Sequence, residues 1–213
     1  ENSNCAGMGE DGSNMGGFGV GCEERYNGPV WHVSNEGSDA EGDGSTQSPY
    51  YSVQNGIDNA SKTDTILVSD GTYFENLELK SKGVLLTSSI LLDGNKEHIE
   101  STIIDGNQSG TVLIIKDGHD RTTIINGFTI TNGGGTGPFH SGGIYCSSSN
   151  PILLNLLIYD NHNMEGGGLK LSNSSPRLQN VTIANNSSTL YYGGGIYMVY
   201  KCNPEFINVN IYT

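Results

Sequence analysis

The sequence predicts an all-β fold, a right-handed parallel β-helix with a short N-terminal capping helix, and three observations lead there. A four-residue block recurs in the C-terminal half as Gly142-Gly143-Ile144-Tyr145, Gly167-Gly168-Leu169-Lys170 and Gly194-Gly195-Ile196-Tyr197, at intervals of 25 and 27 residues. Each block is followed by a proline, at Pro151, Pro176 and Pro204, and then by an asparagine at Asn155, Asn180 and Asn208. Upstream, β-branched runs are separated by Asp-Gly and Asn-Gly pairs, which signal turns. A strand-rich period of about 20 to 50 residues marks a solenoid with one coil per repeat.

Residues 1–30 form a glycine-rich segment in which Cys5 and Cys22 bracket a loop, and a disulfide between them would give this coreless stretch a fixed shape. The β-helix is expected over 31–213, continuing beyond Thr213 because the chain stops on a strand. One helix is predicted near its start. Ser48 can cap it, Pro49 takes its first position, and Val53, Ile57 and Ala60 fall on one face that would cover the open first coil. Strands follow at 65–69, 84–87, 102–105, 112–116 and 122–131, with turn pairs at Asp70-Gly71, Asp93-Gly94, Asp105-Gly106, Asp117-Gly118 and Asn126-Gly127.

In the regular coils, stacking puts equivalent residues about 4.8 Å apart, so the aligned Ile144, Leu169 and Ile196 must all point inward. The glycine pairs are expected at sharp corners that need a positive φ. Asn155, Asn180 and Asn208 are expected to form a structural ladder, each amide bonding to the next coil. Cys146 and Cys202 fall two repeats apart, beyond disulfide reach, and read as small buried hydrophobes.

Composition narrows the partners. The formal charge is −13, with 20 acids against 6 Lys and Arg in residues 1–120 and 3 against 4 in residues 121–213. No basic stripe serves a nucleic acid. The acidic half disfavours polyanions such as DNA or pectate unless calcium bridges the like charges. No membrane span is expected, since no apolar run approaches about 18 residues. Residues 1–21 lack the basic and apolar pattern of a signal peptide, so export would require that the signal has already been removed.

Two regions carry a family resemblance. Trp31-His32-Val33-Ser34 with Gly37-Ser38-Asp39, then Ser52-Val53-Gln54-Asn55-Gly56-Ile57-Asp58-Asn59-Ala60, then Asp64-Thr65-Ile66-Leu67-Val68-Ser69-Asp70-Gly71-Thr72-Tyr73, resemble the N-terminal cap of pectate-lyase-like right-handed β-helix proteins. The Gly-Gly-Ile blocks with the Phe206-Ile207-Asn208 tail are similar to repeats of polymorphic outer-membrane and autotransported surface proteins. The resemblance spans roughly residues 31–213 and implies this fold in a secreted or cell-surface protein of a microbe. It implies no particular activity, because β-helices host lyases, hydrolases, adhesins and stalks.

The residues lean away from catalysis. A polysaccharide lyase needs calcium-binding acids and a Lys or Arg base on neighbouring coils. Asp160, Glu165 and Glu205 and the bases Lys170, Lys201, Arg121 and Arg177 are instead scattered over different repeat phases. The paired-acid motifs of polygalacturonase-type hydrolases are absent from the sequence. Lys116, Asp117, His119, Asp120 and Arg121 read as a solvated corner, and His140 and His162 as polar surface. Asp39, Glu41 and Asp43 alternate as in a calcium loop, the one cofactor the sequence suggests. Tyr145 and Tyr197, expected to stack outward with Tyr191, Tyr192 and Tyr200, are the best hint of a polysaccharide or cell-surface ligand. An uncapped last coil would also permit homotypic head-to-tail assembly. The reading is a non-enzymatic extracellular module with a structural, adhesive or fibre-forming role. The alternative is a carbohydrate-active enzyme of the polysaccharide-lyase type, or a carbohydrate-binding fragment.

Overall fold

The computed structural model describes residues 29–79, 83–135, 141–189 and 192–212. The expected disulfide of Cys5 and Cys22 lies outside the described residues. The chain opens with β1 (Val30–Val33) and α1 (Val53–Asn59), and a first coil follows with β2 (Thr65–Val68), β3 (Gly71–Phe74) and β4 (Leu77–Leu79). The second coil holds β5 (Leu85–Ser88), α2 (Ile90–Asp93), α3 (Glu97–Ser101), β6 (Thr102–Asp105) and β7 (Leu113–Lys116). The third holds β8 (Ile124–Asn126), β9 (Thr129–Thr131) and β10 (Ile144–Ser147). The fourth holds β11 (Ile152–Tyr159), β12 (His162–Asn163) and β13 (Leu169–Ser172), and the fifth β14 (Arg177–Ala184), β15 (Ser187–Ser188) and β16 (Ile196–Val199). β17 (Glu205–Ile211) begins another coil.

Every strand pairs in parallel with its equivalent one coil away, which makes the chain a right-handed parallel β-helix of about five turns. Inward columns run the length of the solenoid. Leu77, Leu113, Ile144, Leu169 and Ile196 stack in register, as do Leu86, Ile125, Leu153, Leu178 and Phe206, and Ile104, Ile130, Ile158, Ile183 and Ile211. Full burial of one such side chain is worth about 1.5–3 kcal/mol, and the core is this effect repeated at every coil. Phe206, Ile211 and Met198, in the last described strands, are exposed.

The glycine blocks work differently from expectation. None of Gly142, Gly143, Gly167, Gly168, Gly194 and Gly195 has a positive φ. They are small because the coils touch there: a Cβ on Gly142 or Gly143 would stand 2.5 Å from the carbonyl oxygen of Gly167 or Gly168. The left-handed corners fall to other residues. Asp117, Ser148, Asn173 and Tyr200 make one corner, Gly127, Asn155, Asn180 and Asn208 the second, and Asn132, Asp160 and Asn185 the third. Asn and Asp tolerate this region because their short side chains bond locally, whereas Tyr does not.

The first helix is capped by Ser52, not Ser48. Tyr50 runs extended, bridges to Val33 and stacks its ring on Trp31 at 6.0 Å, so the chain through Pro49 cannot be helical. Ser52 accepts the Asn55 amide, while Glu75 takes the Val53 and Gln54 amides at 2.8 and 3.0 Å. The two short helices of the second coil were not expected, since the Asp93-Gly94 pair read as a turn. Gly94 instead closes α2 in the left-handed conformation, at φ 73°.

Those two helices are tied down by His98, whose Nδ1 lies 2.7 Å from Asp70 and whose Nε2 lies 3.4 Å from Asp93. Burial alone would lower its pKa, but the hydrogen bond and charge of Asp70, then Asp93, hold it above the usual histidine value. A raised pKa means the clamp is at full strength below about pH 6.5 and is lost as pH rises through the folded pKa. Hydrogen exchange of the α3 amides, corrected for intrinsic rate, is therefore expected to quicken across that window. A His98→Gln variant should abolish the pH dependence.

Candidate functional site

The outer face of the sheet β4-β7-β10-β13-β16 carries the densest set of chemically distinctive side chains. Because Ile144, Cys146, Leu169 and Leu171 face the core, alternation turns Tyr145, Lys170 and Tyr197 outward. In register they stack as Tyr145, Lys170, Tyr197, with Ile114 and Glu78 continuing the column below. The expected tyrosine stack is thus interrupted. Lys170 lies between the two rings, its Nζ 5.7 Å from each centroid, a cation–π arrangement on both sides.

Lys170 is only 5% exposed although it faces outward. The loop before β13 covers it, placing Glu165 2.7 Å from its Nζ. Gly166 makes that possible: it has φ +66°, and a Cβ there would crowd the Cβ atoms of Lys170 and Tyr197. Tyr192 packs on Tyr197 with centroids 4.7 Å apart and planes tilted by 41°. Burial, then the charge of Glu165 and the neighbouring Tyr192 and Tyr200, raise the Tyr197 pKa above its usual value. Tyr191 lies outside the described residues, as does His140.

Tyr200 closes this face at the corner after β16. It is 84% exposed and adopts φ 64°, where Asp117, Ser148 and Asn173 stand in the preceding coils. A bulky residue in that region costs about 1–3 kcal/mol and persists where the surrounding structure holds it. The coil geometry sets this corner, since the Asn173 amide bonds the Val199 carbonyl of the next coil at 3.1 Å, and the exposed ring itself adds little burial.

The ionisable groups of the face are committed to one another. Glu165 holds Lys170, and Glu78 holds Lys116 at 2.9 Å, which raises the lysine pKa. General acid–base work on a polysaccharide needs two carboxylates or an available base facing the same bond. This face carries aromatic surface and two lysine–glutamate pairs.

Asp39 accepts the Tyr51 and Ser52 amides, both at 2.9 Å, and the Asn55 side chain. Burial alone would raise its pKa, but the Ser52, Tyr51 and Asn55 hydrogen bonds outweigh it and hold the carboxyl below its usual value. Asp43 turns to the Ser45 amide at 2.9 Å, and Glu41 is exposed. Asp39 and Asp43 thus brace their loop through backbone amides, and the described residues contain no cluster of three or more metal-ligating side chains. His119 is buried rather than solvated, within reach of Thr123 at 2.9 Å and the Leu79 carbonyl at 3.3 Å. Arg121 and Arg177 both hold Glu205, at 3.1 and 2.8 Å, and His162 meets Ser187. Cys146 and Cys202 carry free thiols, and burial pushes the Cys146 thiol up to about 12.

The asparagines bond coil to coil. Asn208 donates to Asn180 at 2.8 Å, Asn180 to Asn155 at 3.0 Å, Asn155 to Asn126 at 2.8 Å, and Asn126 to Thr87 at 3.0 Å. A second ladder, missed in the sequence, joins Asn161 and Asn186 at the next corner. The recurring Asn after each apolar strand was its visible signal. The substitution of Lys170 for Tyr in the middle block was likewise the signal for the tyrosine–lysine sandwich.

No protein-family model matches the chain, and no curated protein matches its sequence. Among solved structures, a pectin methylesterase in complex with a hexasaccharide is similar, with a TM-score of 0.47 and 12% identity. The match covers 88% of this chain and 66% of that one. The likeness concerns the fold alone.

Proposed function

We propose that the chain is a non-catalytic recognition module of a secreted or cell-surface protein, holding a polysaccharide against the tyrosines of its outer sheet face. The observation that carries this reading is Tyr200, a solvent-exposed ring in a left-handed conformation at the corner after β16, near enough to Tyr197 to influence its ionisation, while Tyr192 packs on Tyr197. Aromatic faces present apolar surface to the C–H side of a sugar ring and a hydroxyl at their edge. Coils about 4.8 Å apart give the site a regular spacing along the solenoid axis, suited to a repeating polymer. The paired lysines and glutamates support a binding role over turnover.

Tyr200→Asn separates binding from stability. Asparagine suits the left-handed corner, so the variant is expected to unfold at a higher denaturant concentration, gaining about 1 kcal/mol. Its retention on the bound polysaccharide in affinity electrophoresis should fall at least tenfold. The catalytic alternative is tested on the same material. Release of methanol from methyl-esterified pectin, or of unsaturated products from pectate, would overturn the non-catalytic reading.

A further inference from the structure

A second surface feature is independent of the tyrosine face. The corner between the two lanes of the long sheet is turned by a single left-handed residue at Gly127, Asn155, Asn180 and Asn208. In the second coil the same corner is an excursion over residues 89–101 that contains α2 and α3. It lies over the following coils. Thr129 donates to the Ile99 carbonyl at 2.7 Å, and a Cβ on Gly127 would overlap Ile90. Internal bonds hold its shape: Asp93 accepts the Asn95 amide at 2.7 Å, Asn95 accepts the Glu97 amide at 3.1 Å, and His98 joins it to Asp70.

Between this lip and the asparagine ladder runs a groove of about 360 Å³. Its walls combine two chemistries. Leu92, 48% exposed, faces it with Leu154 as an apolar surface, while Lys96, Asp93, Gln179 and Asn180 supply polar groups. Asn180 is occupied by the ladder and Asp93 by Asn95 and His98. Gln179 makes no side-chain hydrogen bond and Lys96 no ion pair among the described residues. A carboxamide left open in a groove can donate and accept at once, as a vicinal diol requires. The volume falls in the range of small-ligand sites, about 300–1,000 Å³.

We infer that this groove binds one neutral hexose unit of a glycan, its ring against Leu92 and its hydroxyls on Gln179 and Lys96. The charges favour a neutral sugar, because the Asp93 carboxylate on the same rim offsets Lys96. A strand-like peptide fits less well, since the strands lining the groove are already paired on both edges and have no free ladder to extend.

The test is an NMR titration of the intact chain with methyl α- and β-glycosides of glucose, galactose and mannose, and with glucuronate as the charged control. With at least one neutral glycoside, the Gln179 side-chain amide and Leu92 methyl signals are expected to shift and saturate. Gln179→Ala and Lys96→Ala should each weaken that binding at least fivefold, while Tyr197→Ala leaves it unchanged. The last arm separates this site from the tyrosine face, so either can fail alone. The inference is overturned if no neutral glycoside gives a saturable shift, if only glucuronate does, or if Gln179→Ala binds like the wild type.

Discussion

Replacing Gly133 with alanine is expected to destabilise the β-helix by more than about 3 kcal/mol. The added methyl would overlap the carbonyl oxygen of Gly142 and stand 2.8 Å from a methyl of Val112. Neither side can retreat. The Gly142 carbonyl accepts the Val112 amide at 3.0 Å, and its own amide donates to Gly166 at 3.1 Å. On the other side, Gly133 donates to Asn161 at 2.8 Å, and its carbonyl accepts the His162 amide at 2.8 Å. Relief therefore requires breaking backbone bonds between coils. Gly118→Ala is the control: nothing lies within 4 Å of its Cβ, so only the strain of φ +92° applies, about 1 kcal/mol. Urea unfolding midpoints of the two variants check the contrast, and equal losses would show that coil-to-coil contact is not what requires glycine at Gly133.

The second large effect is expected for Asn161→Leu. This side chain is 1% exposed and serves three coils. Its oxygen accepts the Gly133 amide, and its Nδ2 donates to Ile130, Tyr159 and Asn186, each at 3.0 Å. Leucine fills a similar volume but leaves the buried Gly133 amide without its acceptor and removes the donor shared by the Ile130 and Tyr159 carbonyls, an unsatisfied buried group costing about 1–3 kcal/mol, while the Asn186 oxygen keeps the backbone amide of residue 161. The expected loss is about 3 kcal/mol or more. Asn208→Leu, at the exposed end of the other ladder, should cost less than about 1 kcal/mol. Denaturant unfolding distinguishes them, and similar values for both would deny the buried ladder its role.

What the sequence disclosed follows from periodicity. The 25- and 27-residue spacings place Ile144, Leu169 and Ile196 in one column, and the ladder of Asn155, Asn180 and Asn208 follows from the same alignment. A repeat states which residues stack; it does not state why each must be what it is. The repeat alone therefore suggests turns at the glycine blocks, although backbone-to-backbone contact between coils requires them. The helix start shifted from Ser48 to Ser52 because Tyr50 gains more by burial against Trp31 than by helical bonding, a long-range contact with no local signal. Asp39 and Asp43 looked like cation ligands in the linear pattern, yet their partners are backbone amides brought close by folding. The site was half legible for the same reason. Tyr145 and Tyr197 were identified, but the loop that folds Glu165 onto Lys170 lies outside the strand repeat. The lip over residues 89–101 was hidden because its apolar stretch reads equally well as a strand ending in an Asp-Gly turn.

The most direct test compares the wild type with Tyr200→Asn on an immobilised polysaccharide panel, with product release followed in the same samples. The wild type is expected to be retained without releasing sugar fragments or acid, while the variant is at least tenfold less retained and at least as stable. Undiminished retention of the variant, or steady product formation by the wild type, would contradict it.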